Sequence, residues 1–442
     1  MKLSKLTYIS VAILTFASCT KTEFDPYEAP DSGSADFSNY ISIGSSFTQG
    51  FQDGGLHNEF QQQENSYPAI IAAQMGVSFK QPLVTGAGSG YMHLAFLNEK
   101  IEVIKAYDCK KNDNHQLAIP YDPSFLTWTN QTTTYNNLAI GGLNVRNVIS
   151  FNSTDAITNY ILFGGGTPSG QLAWNCVAGE PISPYGRFLN FGSISNPVDY
   201  IEHVKNSKAT FFTCWLGIHD VMGWANAGGD DVSGSSILTP ISSFRTKYDA
   251  LLDTLKLTAN GGICATVHDI TEAPFFNTVT LEVLGKDIWI KEGADTNIIR
   301  KAVKEDLLLL SSSSLIKEGK GLTIQDPLPH QQVLDKDEVL IVKNYINAIN
   351  AEIRASAQAR AYAVLDMYQF MKTLNSGNEF NFDGINFTTE FIKGGFYSVD
   401  GIHPNSRGYA MIANEYMEVI NASYGANLKP VAVSNYRGIT FP

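Results

Sequence analysis

Short apolar runs alternate along this chain with longer stretches whose apolar residues recur at helical spacing. Tyr40–Gly44, Asn136–Ile140, Ala209–Leu216, Gly262–Val267 and Tyr362–Leu365 are predicted as strands. Pro68–Met75 is predicted as a helix, with Pro68 suited to a first turn. Ser243–Thr258 carries Phe244, Tyr248, Leu251, Leu252 and Leu255 at helical spacing. Asp335–Ala361 reads as a long amphipathic helix, opened by Asp335, Asp337 and Glu338 where the helix dipole favours negative charge. Asn405–Ala422 is the last predicted helix, with an apolar stripe through Tyr409, Ile412, Ala413, Tyr416, Val419 and Ile420. Strands alternating with helices in this way predict an α/β domain around a parallel sheet.

Three irregular stretches interrupt the alternation, near 80–134, 151–205 and 273–333. They are rich in Asn, Thr, Gly and aromatic residues. Loops this long in a compact domain are usually functional or carry small elements of their own. They are read as decoration over one domain, walling a cleft. No internal repeat or coiled-coil heptad stands out, and a monomer is the expectation. The 442 residues, 44% apolar and 17% charged, suffice for a large core. Lysine and arginine number 31 against 43 acidic residues, a net charge of −12. This balance argues against a nucleic-acid partner, which needs a basic footprint, and against anionic lipid headgroups.

The first residues have a different composition. Lys2 and Lys5 precede the apolar stretch Tyr8–Ala17, which is too short to span a bilayer and reads as a signal peptide over 1–18. It ends in Phe16-Ala-Ser-Cys19, which resembles a bacterial lipobox. The resemblance implies a lipid anchor at Cys19 and an extracytoplasmic place on the cell envelope, expected to be the outer membrane. The alternative is ordinary cleavage with Cys19 incidental. Residues 19–38 read as the lipidated cysteine and a flexible tether, and 425–442 as a C-terminal tail. Cys214 and Cys264 sit in apolar runs and are expected to be buried. Cys109 and Cys176 lie in loop-rich stretches, where an oxidising compartment permits a disulfide that the spacing does not specify.

Candidate chemistry concentrates near both ends. Asp400 and His403 are separated by two residues on a Gly- and Pro-containing loop before the last helix. A carboxylate so placed can accept from the histidine Nδ1–H, fixing the tautomer and freeing Nε2 as a general base. Ser46, directly after the first strand in Gly44-Ser-Ser46, is the candidate nucleophile. Two further segments fall at predicted strand ends, where open α/β sheets bind ligands: Asn137-Leu-Ala-Ile-Gly-Gly142 and Trp215-Leu-Gly-Ile-His-Asp220. Neither His219 before Asp220 nor His268 before Asp269 has a partner at metal-ligand spacing, so no metal is expected. Trp215, Trp224, Tyr91, Trp174 and Tyr185 are candidates for core or pocket wall, and His57 for the pocket lining or the exposed surface.

The order and spread of the four segments, over about 39–422 of a domain placed at 39–424, resemble the GDSL (SGNH) hydrolase family, a flavodoxin-like group of serine esterases. The resemblance implies a three-layer sandwich around a five-stranded parallel sheet, and no cofactor. It implies Ser46 as nucleophile, His403 as base and Asp400 as its orienting acid. Ser46 N–H and Gly142 N–H would donate to the oxyanion. Two positions depart from the pattern. Gly-Asp-Ser stands here as Gly44-Ser45-Ser46, and the family's oxyanion Asn is replaced by His219. The expectation is a serine hydrolase cleaving a small-molecule, glycan or lipid acyl ester. The alternatives are acyl transfer through the same intermediate, and a surface lipoprotein that binds a glycan or lipid on a scaffold with weakened or lost catalysis.

Overall fold

The computed structural model describes residues 30–104, 134–152, 198–230, 237–293, 297–376 and 380–442, with positions 122, 155 and 186. The expected signal peptide, Cys19, Cys109, Cys176, Trp174 and Tyr185 lie outside the described residues, as does most of the second insertion.

Four strands form the central sheet: β1 (Tyr40–Gly44), β2 (Phe211–Trp215), β3 (Gly261–Ala265) and β4 (Ala363–Leu365), in the spatial order β1-β2-β3-β4. All the pairings are parallel, and Gly44 lies opposite Trp215 at the end where β1 and β2 finish. Every residue of β1, β2 and β3 is buried, as expected of a parallel sheet covered on both faces.

A fifth strand was expected at Asn136–Ile140. This segment runs beside β1 as an extended chain rather than a strand, with one parallel bridge from Ser42 to Asn137. Ser42 N–H donates to Asn136 O, Leu138 N–H to Ser42 O and Ile140 N–H to Gly44 O. Asparagine side chains replace the rest of the ladder: Asn136 Nδ2 donates to Tyr40 O, and Ala139 N–H turns to Asn137 Oδ1. Local side-chain bonds of this kind compete with regular pairing. Counting this segment, the order is the second, first, third, fourth and fifth segments of the chain, the doubly wound arrangement with its switch point beside β1.

The helices that frame the site are α1 (Ser46–Gln49), α2 (Tyr67–Met75), α3 (Tyr200–Ser207), α4 (His219–Asn226), α5 (Ile241–Lys256), α6 (Lys336–Ala359) and α7 (Ser406–Tyr424). α2 packs against α7, and α5 against both α6 and α3, giving two helical layers around the sheet. The apolar stripes read from the sequence face inward: Phe244, Tyr248, Leu251, Leu252 and Leu255 of α5 are all buried. Burying each such side chain contributes about 1.5–3 kcal/mol. α6 opens on a capping box, in which Asp335 accepts from Asp337 N–H and Glu338 N–H while Glu338 Oε2 accepts from Asp335 N–H.

Cys214 and Cys264 are free and buried in the main core. The third insertion holds short antiparallel strand pairs, Trp289–Lys291 with Ile299–Lys301 and Leu307–Leu308 with Val333–Leu334, over a small core of its own that includes Ile288, Ile290 and Leu328. The tail beyond α7 is docked, with Leu428 and Val433 buried. Among the described residues no helix is long and apolar enough to cross a membrane.

Candidate active site

The ends of β1 and β2, the turn after residue 140 and the loop before α7 meet at one place. β1 ends at Gly44 and the chain turns at once into α1, so Ser46 is that helix's first residue. The turn is tight: a Cβ on Gly44 would lie 2.0 Å from Thr48 Oγ1. Only glycine fits there, and its absent side chain lets α1 fold directly over the strand end.

His403 Nε2 is 2.9 Å from Ser46 Oγ, and His403 Nδ1 is 2.8 Å from Asp400 Oδ2. The carboxylate accepts three backbone N–H groups as well: Ile402 (2.7 Å) and His403 (2.8 Å) on Oδ1, and Gly54 (2.8 Å) on Oδ2. Burial alone would raise the Asp400 pKa. The adjacent His403 ring and these hydrogen bonds outweigh it and hold the carboxyl below its ordinary value. Asp400 is therefore an ionised acceptor for His403 Nδ1–H, which leaves the Nε2 lone pair facing the serine.

His219 begins α4 and places Nε2 3.0 Å from Ser46 Oγ. Burial, and secondarily the nearby His403, lower its pKa to about 3, so the ring is neutral. Proton counting then fixes its role. The single Ser46 hydroxyl proton goes to His403 Nε2, so Oγ can only accept from His219, whose one proton must sit on Nε2. His219 thus presents an N–H to the serine oxygen, as the side-chain amide of an asparagine would.

Gly142 stands at the opposite side. Segment 136–140 is in register with β1, and Ile140 bonds Gly44 O, so Gly142 and Ser46 each lie two residues past that last rung. Gly142 has φ 79°, a conformation that favours glycine. Gln49 Oε1 accepts from Gly141 N–H at 2.8 Å, and Asn137 Nδ2 donates to Thr48 O at 2.9 Å, tying this turn to α1. Asp220 completes the frame: its carboxylate accepts from Val145 N–H at 2.8 Å and Thr239 Oγ1 at 2.6 Å, and burial pushes its pKa up to about 6. Thus the residue after His219 fixes the loop after Gly142.

Ser46 is fully buried, whereas His403 and Asp400 each keep 6% of their surface. His219 as a whole residue keeps part of its surface exposed and is the most open of the four.

Three features were not legible in the sequence. The Gly54 bond to Asp400 crosses 346 residues, and only the adjacent pair Gly54-Gly55 hinted at a close backbone approach. His268, weighed there only as a metal ligand, is buried beside the site. Its ring lies 5.6 Å from that of Phe47, which in turn is 4.7 Å from His403. Burial, and then the neighbouring His403, lower its pKa to about 4, and its Nδ1 has no hydrogen-bond partner among the described residues. His57 is buried and stacked 4.1 Å from the Tyr91 ring rather than exposed. Ser45, in place of the family's acid, buries a hydroxyl without a partner, a smaller cost than an unpaired carboxylate. Trp215 lies in the core, against Phe47 and Tyr67.

Residues 40–416 match the profile of the GDSL-like Lipase/Acylhydrolase family. The chain belongs to that family, a class of ester hydrolases, with Gly-Ser-Ser and His219 as its own variations on the pattern. No curated protein sequence matches it. Among solved structures it is similar to an alpha/beta hydrolase from the metagenome of Lake Arreo, Spain, at 12% identity and TM-score 0.36, over 88% of this chain and 96% of the other. It is also similar to an acetylxylan esterase from Geobacillus stearothermophilus, at 9% identity and TM-score 0.34, over 88% and 96%. A third is an extracellular lipase from Streptomyces rimosus, at 12% identity and TM-score 0.32, over 87% and 99%.

Proposed function

We propose that this protein is a carboxylic ester hydrolase that works through an acyl-Ser46 intermediate. The observation that carries the reading is the continuous chain of bonds Ser46 Oγ to His403 Nε2 and His403 Nδ1 to Asp400. His403 takes the Ser46 proton as Oγ attacks the ester carbonyl carbon. Asp400 holds the ring and stabilises the imidazolium that forms. His403 then returns that proton to the departing alcohol. In the second half it removes a proton from water, which attacks the acyl-serine, and it reprotonates Oγ as the acid leaves.

The negative oxygen of each tetrahedral adduct is bonded to the same carbon as Oγ. A donor within hydrogen-bond distance of Oγ is therefore close to it. His219 Nε2–H is such a donor, with Ser46 N–H and Gly142 N–H as the backbone pair. One oxyanion donor is worth about 3–4 kcal/mol. The substrate class is a small-molecule, glycan or lipid acyl ester. The leader and Cys19 support an extracytoplasmic, lipid-anchored placement on the cell envelope.

A fluorophosphonate probe is expected to label Ser46, and Ser46→Ala to abolish hydrolysis across a panel of short- and long-chain esters. A wild-type chain that takes up no probe and turns over no ester would sink the proposal. The full burial of Ser46 favours a second reading, a glycan- or lipid-binding protein on the same scaffold. That reading requires ligand binding unchanged by Ser46→Ala and no turnover in either form.

A further inference from the structure

The serine and its base belong to segments 357 residues apart, and no strand pairing joins the loop of Asp400 to the helix of Ser46. The stretch that follows α1 joins them instead. Beyond Gly50 the chain runs Phe51-Gln52-Asp53-Gly54, and each of these residues bonds into 398–409. Tyr409 Oη–H donates to Phe51 O at 2.6 Å, and Gln52 Nε2 to Ser406 Oγ at 3.2 Å. Asp53 N–H donates to Ser398 Oγ at 2.9 Å, and Gly54 N–H reaches Asp400 itself. The Asp53 side chain takes part as well: Val399 N–H donates to Asp53 Oδ1 at 3.1 Å.

Asp53 therefore holds both residues that immediately precede Asp400. It does so at φ 56°, in the left-handed region that Asp and Asn tolerate better than most side chains. Its second oxygen accepts from Gln62 Nε2 at 3.3 Å and lies 3.6 Å from the buried His57 Nε2.

We propose that Asp53 is a positioning residue for the active site. Its carboxylate grips Val399 N–H and its own N–H grips Ser398, so the Asp400 carboxylate is presented to His403 Nδ1 in the geometry that aims Nε2 at Ser46. The proposal rests on the reading of Ser46, His403 and Asp400 as a triad. The competing account is that Asp53 only shapes its own turn. The two accounts separate by substitution. Asparagine keeps an Oδ1 acceptor and tolerates the backbone. Glycine relieves the backbone and removes the acceptor. If Asp53 only shapes a turn, glycine serves as well as aspartate.

The test uses the whole chain as wild type, Asp53→Asn and Asp53→Gly, with two readouts. One is the far-downfield proton resonance of His403 Nδ1–H, identified by its loss in His403→Gln. The other is kcat and KM on an ester substrate. Asp53→Asn is expected to keep the resonance and stay within about twofold of wild-type kcat. Asp53→Gly is expected to lose or broaden the resonance and to lower kcat on the order of ten- to a hundredfold with KM little changed. If Asp53→Gly fails to fold, Ser398→Ala reads the same clamp from its other side and must weaken the resonance. A sharp resonance and unchanged kcat in Asp53→Gly would overturn the proposal. So would equal losses in Asp53→Asn and Asp53→Gly, or a wild-type chain with no such resonance. If the wild type shows the resonance and hydrolyses no ester, the esterase reading falls, and the resonance alone decides the role of Asp53.

Discussion

A neutral imidazole can replace an amide here because of proton bookkeeping at a single oxygen. Ser46 Oγ has one proton to give, His403 Nε2 receives it, and His219 is left to donate. This makes His219→Ala and His219→Asn diagnostic. The alanine variant removes a donor and should lower kcat by about a hundredfold or more. The asparagine variant restores an amide and should keep activity near or above wild type, as steady-state kinetics would show. The wild type and His219→Asn should also differ in stability with pH. The His219 pKa is about 3 in the fold against an ordinary 6.5, so the unfolded chain binds the extra proton first on acidification. The stability from keeping this ring neutral is complete above pH 6.5 and lost progressively as pH falls toward 3. His219→Asn lacks that loss, so calorimetry at pH 7 and pH 4.5 should show a smaller drop in Tm than for the wild type.

At the scale of elements, α6 offers a second titration with the opposite sign. Burial pushes Glu338 from an ordinary 4.5 up to about 8, although its carboxylate closes the capping box. A raised acid favours the fold when protonated. Its contribution is complete below pH 4.5 and lost as pH rises through 8. Glu338→Gln keeps an acceptor for Asp335 N–H and removes the ionisation. It should raise Tm by a few degrees at pH 8–9 and by nothing at pH 4, in parallel melting curves. The box was half legible in the sequence: the acidic opening at Asp335, Asp337 and Glu338 was plain, but not which carboxylate would be desolvated. The same division runs through the site. Ser46, His403 and Asp400 stood out because Ser46 follows the first strand, and Asp400 and His403 lie three residues apart on the loop before α7. The Asn136–Ile140 segment shared the apolar run of a strand, yet its two asparagines took backbone bonds for themselves. The partners of Gly54 and Asp53 were not legible, since they are supplied by a loop at the far end of the chain.

At the scale of the whole molecule, the end of β1 and the loop before α7 meet at one site, and the third insertion keeps a small core of its own. The leader belongs to this scale as well. If Cys19 carries a lipid, Cys19→Ser should move the protein from the detergent phase to the aqueous phase on partitioning. Ester turnover should be unchanged, because Cys19 precedes β1 by about twenty positions and has no part in the proposed chemistry of Ser46. Equal partitioning of both forms would remove the anchor from the proposal. The separation of Ser46 from His403 by 357 positions has a consequence for the chain in transit. During synthesis or export the serine emerges long before its base, and a nascent or partly threaded chain carries a nucleophile with nothing to deprotonate it. On the proposed mechanism, an acyl group can be taken up only when the segment around His403 has docked against α1, so the fold would time its own reactivity to the completion of the chain.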